Sequence, residues 1–326
     1  MKKGLVLGKF MPLHTGHLSL FDFASHRCDV LYILLCHSNK EDISGSVREE
    51  WIKTTVSKIP NAIFISYLYD EDKLPNSSTS SKEISLQWSN AIKEILPEID
   101  IIFTSEQYGD YIAEFMRIKH IVFDIDRKAI PIFASLILNN PLLNWNFIAD
   151  VAKPYFLKRV VLLGTESTGK STLTKLLATY FKTNYVPEMA REILEKTEDC
   201  QPKHLIKIAE LHAKEILTRT KNAVRLLFID TDINITKSYS KYLFNEKLNT
   251  AAWVEEANKA DLYIFLEPDS EFVQDGTRLP VLERNKLNLF HKDQLKEMGI
   301  PYFSINGNWD ERFEKAIVLI KEYFKL

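Results

Sequence analysis

The sequence predicts an α/β protein with two successive domains, each built on a parallel sheet. Apolar runs of strand length alternate with longer helical patterns from the first residues onward, as in strands joined by crossover helices. In each half, a glycine-containing motif suited to phosphate follows an apolar strand. An irregular stretch between Pro131 and Pro154 separates the halves, and we place the domains at residues 1–155 and 156–326.

Composition limits the classes of function that the chain can serve. Its 326 residues exceed what one hydrophobic core usually covers, and 45% apolar with 26% charged residues is typical of soluble globular proteins. The net charge is −2 with acidic and basic residues interspersed, so we expect no nucleic-acid partner. Because no signal-peptide core, bilayer-length apolar run or disulfide spacing is found, we expect a cytoplasmic protein without a membrane partner.

Strand and helix patterns follow one another regularly in both domains. In the first domain, strands are predicted at residues 5–7, 30–36, 62–67, 99–104 and 121–124. Helices are predicted between them at about 18–27, 46–58, 80–95 and 107–116. In the second domain, strands are predicted at 158–163, 225–229, 262–266 and 302–305, with a closing amphipathic helix at 310–324.

The second domain opens on a phosphate-binding loop. Residues 164–171 have the sequence GTESTGKS and fit the P-loop pattern GxxxxGK[ST] between a predicted strand and helix. Its backbone N–H groups can surround phosphate oxygens, Lys170 can reach the β- and γ-phosphates, and Ser171 can bind Mg²⁺. The sequence therefore predicts ATP and Mg²⁺ as cofactors. We assign ATP binding here to Gly164, Glu166, Ser167, Thr168, Gly169, Lys170, Ser171 and Thr172.

Two carboxylates follow the strand at 225–229. Asp230 and Asp232 lie at the carboxyl end of that strand, where α/β sheets hold ligands. We expect Asp230 to serve Mg²⁺ and the acceptor hydroxyl as a catalytic residue, and both carboxylates to contact substrate. Capping of the following helix is the alternative role, most plainly for Asp232.

Further candidates surround this predicted site. Glu188 and Arg191, with Glu210 on a helix, could bind a ribose or a pyridinium, whereas a surface ion pair is the alternative for the first two. Arg278 and Arg284 follow a glycine in residues 274–284, which suits a lid whose arginines neutralise charge in the transition state. For either arginine, a solvated helix start is the alternative.

The first domain carries a second phosphate motif. Residues 8–17, GKFMPLHTGH, match GxFxPxHxGH after the first strand. His14 and His17 at a helix N-terminus can donate hydrogen bonds to an α-phosphate, while Gly16 permits close approach of the nucleotide. A metal pair or a turn with incidental histidines are the alternatives. The ATP site of this domain is assigned to Gly8, Lys9, Phe10 and Gly16, with His14 and His17 as catalytic residues.

On these motifs the whole chain resembles the NadR family, which joins a nicotinamide mononucleotide (NMN) adenylyltransferase domain to a ribosylnicotinamide kinase domain. The resemblance implies a Rossmann-like nucleotidyltransferase domain followed by a P-loop kinase domain. It implies that Arg48, Trp51 and Trp88 bind substrate, with Trp88 stacked on nicotinamide unless it is a core aromatic. The resemblance does not imply DNA binding. The segments that share the family pattern also include Gln87-Trp88-Ser89, Thr104-Ser105-Glu106, Pro187-Glu188 with Arg191, Asp230-Thr231-Asp232, Glu267-Pro268 and residues 273–276.

One motif departs from the family pattern. Where adenylyltransferases have ISxxxIR, residues 132–138 have the sequence IFASLIL, so Phe133 replaces the Ser and Leu138 replaces the phosphate-binding Arg. Loss of a cation at developing phosphate charge typically costs orders of magnitude in rate. We therefore expect an impaired first site, with Ser135, Arg127 or Lys128 as the nearby substitutes.

These patterns predict a bifunctional enzyme of NAD salvage, with ribosylnicotinamide, NMN and ATP as its small-molecule partners. One alternative keeps the kinase and makes the first domain a nucleotide-binding sensor or scaffold without turnover. A GTPase-like switch ranks last, because 285–288, NKLN, lacks the Asp of the guanine motif. The sequence leaves the oligomeric state open and is compatible with a homo-oligomer.

Overall fold

The computed structural model divides the chain into two compact units, Met1–Tyr155 and Phe156–Leu326. The structure describes residues 1–75, 81–193, 200–269 and 281–326, without the side chains at positions 191 and 281. Each unit contains a parallel sheet of the predicted α/β class, so the predicted fold class is confirmed. Among the described residues no helix has the length and apolarity required to cross a membrane.

The sheet of the first unit has the order β3-β2-β1-β4-β5, and all its pairs are parallel. Its central strand is buried because Leu5 and Val6 are covered on both faces. The strands are β1 (Lys3–Gly8), β2 (Val30–His37), β3 (Ala62–Leu68), β4 (Ile101–Thr104) and β5 (Lys119–Val122). The helices are α1 (Thr15–Ser25), α2 (Gly45–Val56), α3 (Lys82–Ile95), α4 (Tyr108–Met116), α5 (Ala134–Asn139) and α6 (Lys153–Phe156).

The sheet of the second unit has the order β10-β9-β6-β8-β7 and is also parallel. Its strands are β6 (Lys158–Leu163), β7 (Tyr185–Val186), β8 (Leu226–Asp230), β9 (Leu262–Leu266) and β10 (Phe303–Ile305). Its helices are α7 (Lys170–Tyr180), α8 (Pro202–Thr220), α9 (Ile233–Phe244), α10 (Ala252–Ala257), α11 (Val281–Glu297) and α12 (Trp309–Phe324).

Both sheets place their first strand in the centre. Beyond β1 and β6 the strand order runs to one side and then to the other, which creates a crevice at the carboxyl ends of the central strands. The phosphate motifs at residues 8–17 and 164–171 follow β1 and β6 directly. The topology therefore places each motif at the usual ligand position of its sheet.

The strand predicted at residues 121–124 is present as β5 but lies two residues earlier. Its pairing with β4 begins at Lys119 and ends at Val122. Asp124 instead has a φ of 45° and its carboxylate accepts hydrogen bonds from the backbone N–H groups of Lys128, Ala129 and Ile130. A side chain that binds this many backbone donors favours a turn over a strand.

Candidate active sites

The P-loop of the second unit depends on glycines at both ends. Gly164 and Gly169 have φ values of 140° and 84°, which favour glycine. A Cβ atom at Gly169 would lie 2.1 Å from the Trp309 ring, and one at Gly164 would lie 2.8 Å from the Leu266 carbonyl oxygen. The loop therefore keeps its backbone close to its neighbours and leads into α7, whose N-terminus favours anions.

Lys170 is buried at the first position of α7. Its Nζ donates a hydrogen bond to the Thr165 carbonyl oxygen at 2.8 Å, and the Thr168 hydroxyl donates to the same oxygen at 2.8 Å. The ammonium thus lies within the loop, where a phosphate oxygen would compete for it. Of the remaining P-loop residues, Glu166, Ser167 and Ser171 are half-buried and Thr172 is exposed.

Asp230 lies beside this loop because of the register between two strands. Asp230 of β8 pairs with Leu162 of β6, and the next N–H, of Thr231, donates to the Leu162 carbonyl oxygen at 3.0 Å. The carboxylate is buried at the carboxyl end of the sheet, and its pairing partner Leu162 precedes Gly164 by two residues. This is the neighbourhood in which Asp230 could serve Mg²⁺ and an acceptor hydroxyl.

Asp232 has a different role from Asp230. It is the N-cap of α9: its Oδ1 accepts from the N–H groups of Asn234 and Ile235, and its Oδ2 accepts from the Asn234 amide at 2.6 Å. Burial raises the pKa of this carboxyl to about 6 despite these hydrogen bonds. Asp232 therefore caps α9, as the alternative expects, and its contact with substrate remains a prediction.

The histidines of the first unit form the N-terminal cap of α1. His14 Nδ1 accepts a hydrogen bond from the Gly16 N–H at 3.1 Å, and His17 Nδ1 accepts one from the His14 N–H at 3.3 Å. The two rings stack with centroids 3.7 Å apart, and the Phe10 ring lies edge-on to His17 at 5.0 Å. A Cβ atom at Gly16 would lie 2.9 Å from the His14 ring, so the capped turn requires glycine.

Burial keeps both imidazoles neutral, and the cap determines which ring nitrogen carries the proton. Burial, with the charge of Arg127, lowers the pKa of His14 to about 4, and burial with His14 and Arg127 lowers the pKa of His17 well below 6.5. Both rings are therefore neutral at pH 7. Since each Nδ1 accepts a hydrogen bond, the ring proton lies on Nε2, which makes each Nε2–H a donor for a phosphate oxygen.

Comparison with known proteins assigns the family. Residues 159–312 match the family model described as an AAA domain. Over 98% of its length the chain is 31% identical to the trifunctional NAD biosynthesis/regulator protein NadR of Salmonella typhimurium, and it covers 82% of that protein. The chain belongs to the NadR family. The NadR protein of Escherichia coli is 30% identical over the same shares.

Solved NadR structures share the fold. A NadR protein in complex with NR aligns with a TM-score of 0.77 at 20% identity, covering 100% of this chain and 96% of that one. A NadR protein in complex with NAD and AMP-PNP aligns with the same TM-score at 19% identity. The two-unit α/β architecture is thus that of the NadR family.

Arg48, expected from the NadR resemblance to bind substrate, is fully buried in α2. Its guanidinium donates to the Lys9 carbonyl oxygen at 2.9 Å and forms an ion pair with Glu41, which also binds Lys9 Nζ at 2.8 Å. In this arrangement Arg48 holds the loop that follows Gly8, and its direct contact with substrate remains a prediction.

The two tryptophans of the first site pack against other aromatics. Trp51 is buried with its ring edge-on to Tyr155 at 5.6 Å, and its contact with substrate remains a prediction. Trp88 on α3 is half-buried, donates from Nε1 to the Pro75 carbonyl oxygen at 3.0 Å and lies edge-on to Tyr69 at 5.0 Å. Its stacking on nicotinamide remains a prediction.

The nucleoside candidates of the second unit are only partly described. Glu188 follows β7 and begins a 3₁₀ turn, and Glu210 is half-buried on α8. His212 on the same helix is buried, and burial lowers its pKa to about 4 although the charge of Glu188 opposes the shift. The charge of Glu188 therefore acts on the middle of α8. The side chain of Arg191 lies outside the described residues.

The lid hypothesis receives a partial answer. Arg278 lies outside the described residues, whereas Arg284 is buried on α11 and donates from Nη2 to the Pro268 carbonyl oxygen at 3.1 Å. The solvated helix start is therefore wrong for Arg284, and its catalytic role remains a prediction. His291, two turns further along α11, is also buried, and burial together with the charge of Lys170 lowers its pKa to about 3.

Sequence reasoning missed Arg312, which supports the P-loop from α12. Its buried guanidinium donates to the carbonyl oxygens of Thr168 at 2.7 Å, Glu267 at 2.8 Å and Gly307 at 2.7 Å, and forms an ion pair with Asp269. The sequence indicated only that Arg312 lies in the amphipathic closing segment. Its contact with Thr168 joins residues 144 positions apart, so no local pattern could predict it. Arg312 fixes the loop carbonyl just before Gly169.

We expect Arg312→Ala to destabilise the second unit strongly. The change leaves the buried Thr168 carbonyl, two partly buried carbonyl groups and the half-exposed Asp269 without their cation, which typically costs about 3 kcal/mol. Thermal unfolding of the full chain measures the loss, and weaker ATP binding should accompany it. Arg219→Ala is the matched control, because Arg219 forms an exposed pair with Glu215 worth only about 0.5 kcal/mol. Equal effects of the two changes would contradict the supporting role of Arg312.

A second expectation concerns pH. His14 is neutral in the folded chain down to about pH 4, whereas in the unfolded chain it takes up a proton near its ordinary pKa of about 6.5. The unfolded state therefore binds more protons in this window, and stability falls as pH decreases from 6.5 to 4. Asn also caps helices, so His14→Asn should unfold with a smaller loss of stability across that range. Identical pH profiles of the melting temperature for the two proteins would contradict the shifted pKa.

Proposed function

We propose that this NadR-family chain carries out two successive steps of NAD salvage. The second unit phosphorylates the 5′-hydroxyl of ribosylnicotinamide with MgATP, which gives NMN. The first unit transfers AMP from ATP to NMN, which gives NAD and pyrophosphate. The proposal rests above all on the presence, in one chain of this family, of two separate phosphate sites at the ends of central strands.

In the kinase step, the loop at 164–171 and the α7 N-terminus bind the ATP phosphates, and Lys170 moves from the Thr165 carbonyl to the β- and γ-phosphates. Asp230 is within the site to orient the nucleoside hydroxyl, and the buried carboxylate can accept its proton as the bond to the γ-phosphorus forms. The transferred group needs little beyond this positioning and charge neutralisation.

The residues present suit Mg²⁺. Ser171 and Asp230 offer hard oxygen ligands, and the described residues contain no group of three or more His, Cys, Asp or Glu suited to a metal. That donor set fits Mg²⁺, which is usually held by one or two protein oxygens together with phosphates and water. When bound, Mg²⁺ supplies neutralisation of the phosphate charge.

The nucleoside site should favour a cationic base. Ribosylnicotinamide carries a positively charged pyridinium, and the carboxylates of Glu188 and Glu210 lie at the region of β7 and α8 where they can attract that charge and bind ribose hydroxyls. A neutral His212 between these elements avoids a competing positive charge. This arrangement supports a pyridine nucleoside over a neutral purine nucleoside.

In the adenylyl-transfer step, a phosphate oxygen of NMN attacks the α-phosphorus of ATP as the bond to the bridging oxygen of pyrophosphate breaks. The Nε2–H groups of His14 and His17 donate to the α-phosphate oxygens, whose charge increases in the transition state. Neutral imidazoles suit this role because they are fixed donors that need no proton transfer. Arg48 and Glu41 maintain the adjoining Lys9 loop.

Phe133 and Leu138 favour one alternative, in which the first unit binds nucleotide without turnover. Neither side chain can replace the cation of the family motif. In either case we place the protein in the cytoplasm with small-molecule partners and without nucleic acid, as a monomer or homo-oligomer. The two half-reactions, assayed separately, distinguish the alternatives.

Lys170→Ala should abolish the kinase step and spare the adenylyl-transfer step. We expect formation of NMN from ribosylnicotinamide to fall by about 10³-fold or more, because the ammonium meets charge on the transferring phosphoryl group. Conversion of NMN to NAD by the same preparation is the internal control for folding. Kinase turnover equal to that of the unmodified protein would refute the P-loop assignment.

His17→Ala should have the opposite pattern. Loss of one α-phosphate donor should lower kcat for NAD formation from NMN by about 10²–10³-fold. The ribosylnicotinamide kinase rate should be unchanged, because His17 lies in the other unit. If the unmodified protein binds NMN yet forms no NAD, the sensor alternative replaces the second activity.

A further inference from the structure

The first unit lacks a cation at the position that the family pattern provides for the ATP phosphates. Leu138 is half-buried on α5, and Ser135 is exposed and uncharged. Lys9 Nζ is held 2.8 Å from the Glu41 carboxylate, which it shares with the Arg48 guanidinium. The side chain of Lys128 is 83% exposed and pairs with Asp126 at 2.8 Å, so it points to solvent. A further cation near the leaving pyrophosphate would compensate for the arginine that position 138 lacks.

Arg127 lies in a tight turn that packs against the start of α1. The carboxylate of Asp124 accepts the N–H groups of Lys128, Ala129 and Ile130 at 2.8 to 3.0 Å, and these hydrogen bonds lower the pKa of Asp124. Arg127 itself has a φ of 53°, which the Asp124 cap stabilises. Ile130, in the same turn, places a methyl carbon 3.8 Å from where a Cβ of Gly16 would be.

The side chain of Arg127 is mostly covered by its neighbours rather than extended into solvent. Its side chain is 17% exposed, and its Cζ lies over the Phe133 ring at 5.3 Å from the centroid. Its ionic partner in the described part of the chain is Glu106, 61% exposed and 3.6 Å away, which is longer than a charge-assisted hydrogen bond. The positive charge of Arg127 contributes, after burial, to lowering the pKa of His14 and His17, and the turn that carries Arg127 packs at Gly16 beside these rings.

We propose that Arg127, held over the Phe133 ring, supplies the cation for the β- and γ-phosphates of ATP in the first unit and so replaces the arginine missing at position 138. The residue that breaks the family motif, Phe133, provides the aromatic surface on which the substitute cation rests. A long, solvent-screened pair with Glu106 is weak, so a triphosphate can displace it. The inference rests on the proposed adenylyl transfer.

The chemical balance needs no further reactant. An oxygen of the NMN phosphate forms a bond to the α-phosphorus, the bond from that phosphorus to the β-bridging oxygen breaks, and pyrophosphate leaves with the electron pair. Arg127 would bind the oxygens on which this negative charge increases, while His14 and His17 bind the α-phosphate oxygens. An arginine suits this role because its planar donors match phosphate geometry.

The test compares Arg127→Gln with Lys128→Gln, which removes the neighbouring exposed cation. We expect Arg127→Gln to lower kcat for NAD formation from NMN by about 10²-fold or more, and Lys128→Gln to change it by less than about twofold. The ribosylnicotinamide kinase rate of the same full-length preparations controls for folding. Adding Leu138→Arg to Arg127→Gln should restore NAD formation, and Arg127→Lys should retain more of it than Arg127→Gln.

Each outcome decides between the inference and the activity on which it rests. If Arg127→Gln and Lys128→Gln form NAD equally fast, Arg127 is not the phosphate cation although adenylyl transfer stands. If the unmodified protein is inactive and Leu138→Arg alone creates activity, Arg127 fails as a substitute. If neither the unmodified protein nor Leu138→Arg forms NAD, the proposed adenylyl transfer fails together with the inference. If Arg127→Gln lowers the melting temperature, two further variants separate folding from charge. Faster NAD formation by Arg127→Lys and by the Arg127→Gln, Leu138→Arg double variant than by Arg127→Gln supports the inference, and equal rates overturn it.

Discussion

Both units depend on the same constraint, which is that a buried central strand must end in a turn whose backbone donors face a phosphate. β1 and β6 are the central strands of their parallel sheets, and the chain continues to one side of each and later to the other. The connections on the two sides leave a crevice at the carboxyl end of the central strand, and the helix that follows this strand begins there. The N–H groups at a helix start have no partner within the helix, and an anion satisfies them. The glycines of each motif make the approach possible, because a Cβ at Gly16 or Gly169 would collide with a ring.

The two phosphate sites differ in how they supply charge. The P-loop contains a buried ammonium, Lys170, which the Thr165 carbonyl holds within the loop. The first unit instead offers two neutral imidazoles whose Nδ1 atoms are used for capping, so their Nε2 protons are fixed as donors. These differences suit the two reactions proposed here. Transfer of a γ-phosphoryl group needs mobile positive charge along the phosphate chain, whereas attack at an α-phosphorus benefits from rigid donors around one phosphate.

What the sequence could predict was local in the chain. The P-loop, the position of Asp230 and the histidine pair each combine a strand end with a few neighbouring residues, so periodicity and motif spacing were sufficient. The roles that depend on tertiary contacts were not available from any window. Arg48 resembles a ligand in sequence but donates to the Lys9 carbonyl and Glu41, and Arg312 binds a carbonyl 144 residues away. The cap formed by Asp232 likewise depends on the N–H geometry of α9, which sequence leaves open.

The altered motif at residues 132–138 shows why position in an alignment is a poor guide to electrostatics. The attraction between a phosphate and a cation depends on their distance in space and extends over several ångströms. Any rigid segment near the crevice can therefore carry the cation. In this chain the Asp124 turn is rigid because one carboxylate binds successive backbone donors, and it touches the helix start at Gly16. Rigidity matters as much as charge here, because a flexible surface lysine such as Lys128 would have to lose side-chain entropy on every turnover. A half-buried arginine resting on an aromatic ring, as Arg127 does on Phe133, has lost much of that freedom already, so the Arg127 proposal reconciles the altered motif with adenylyl transfer.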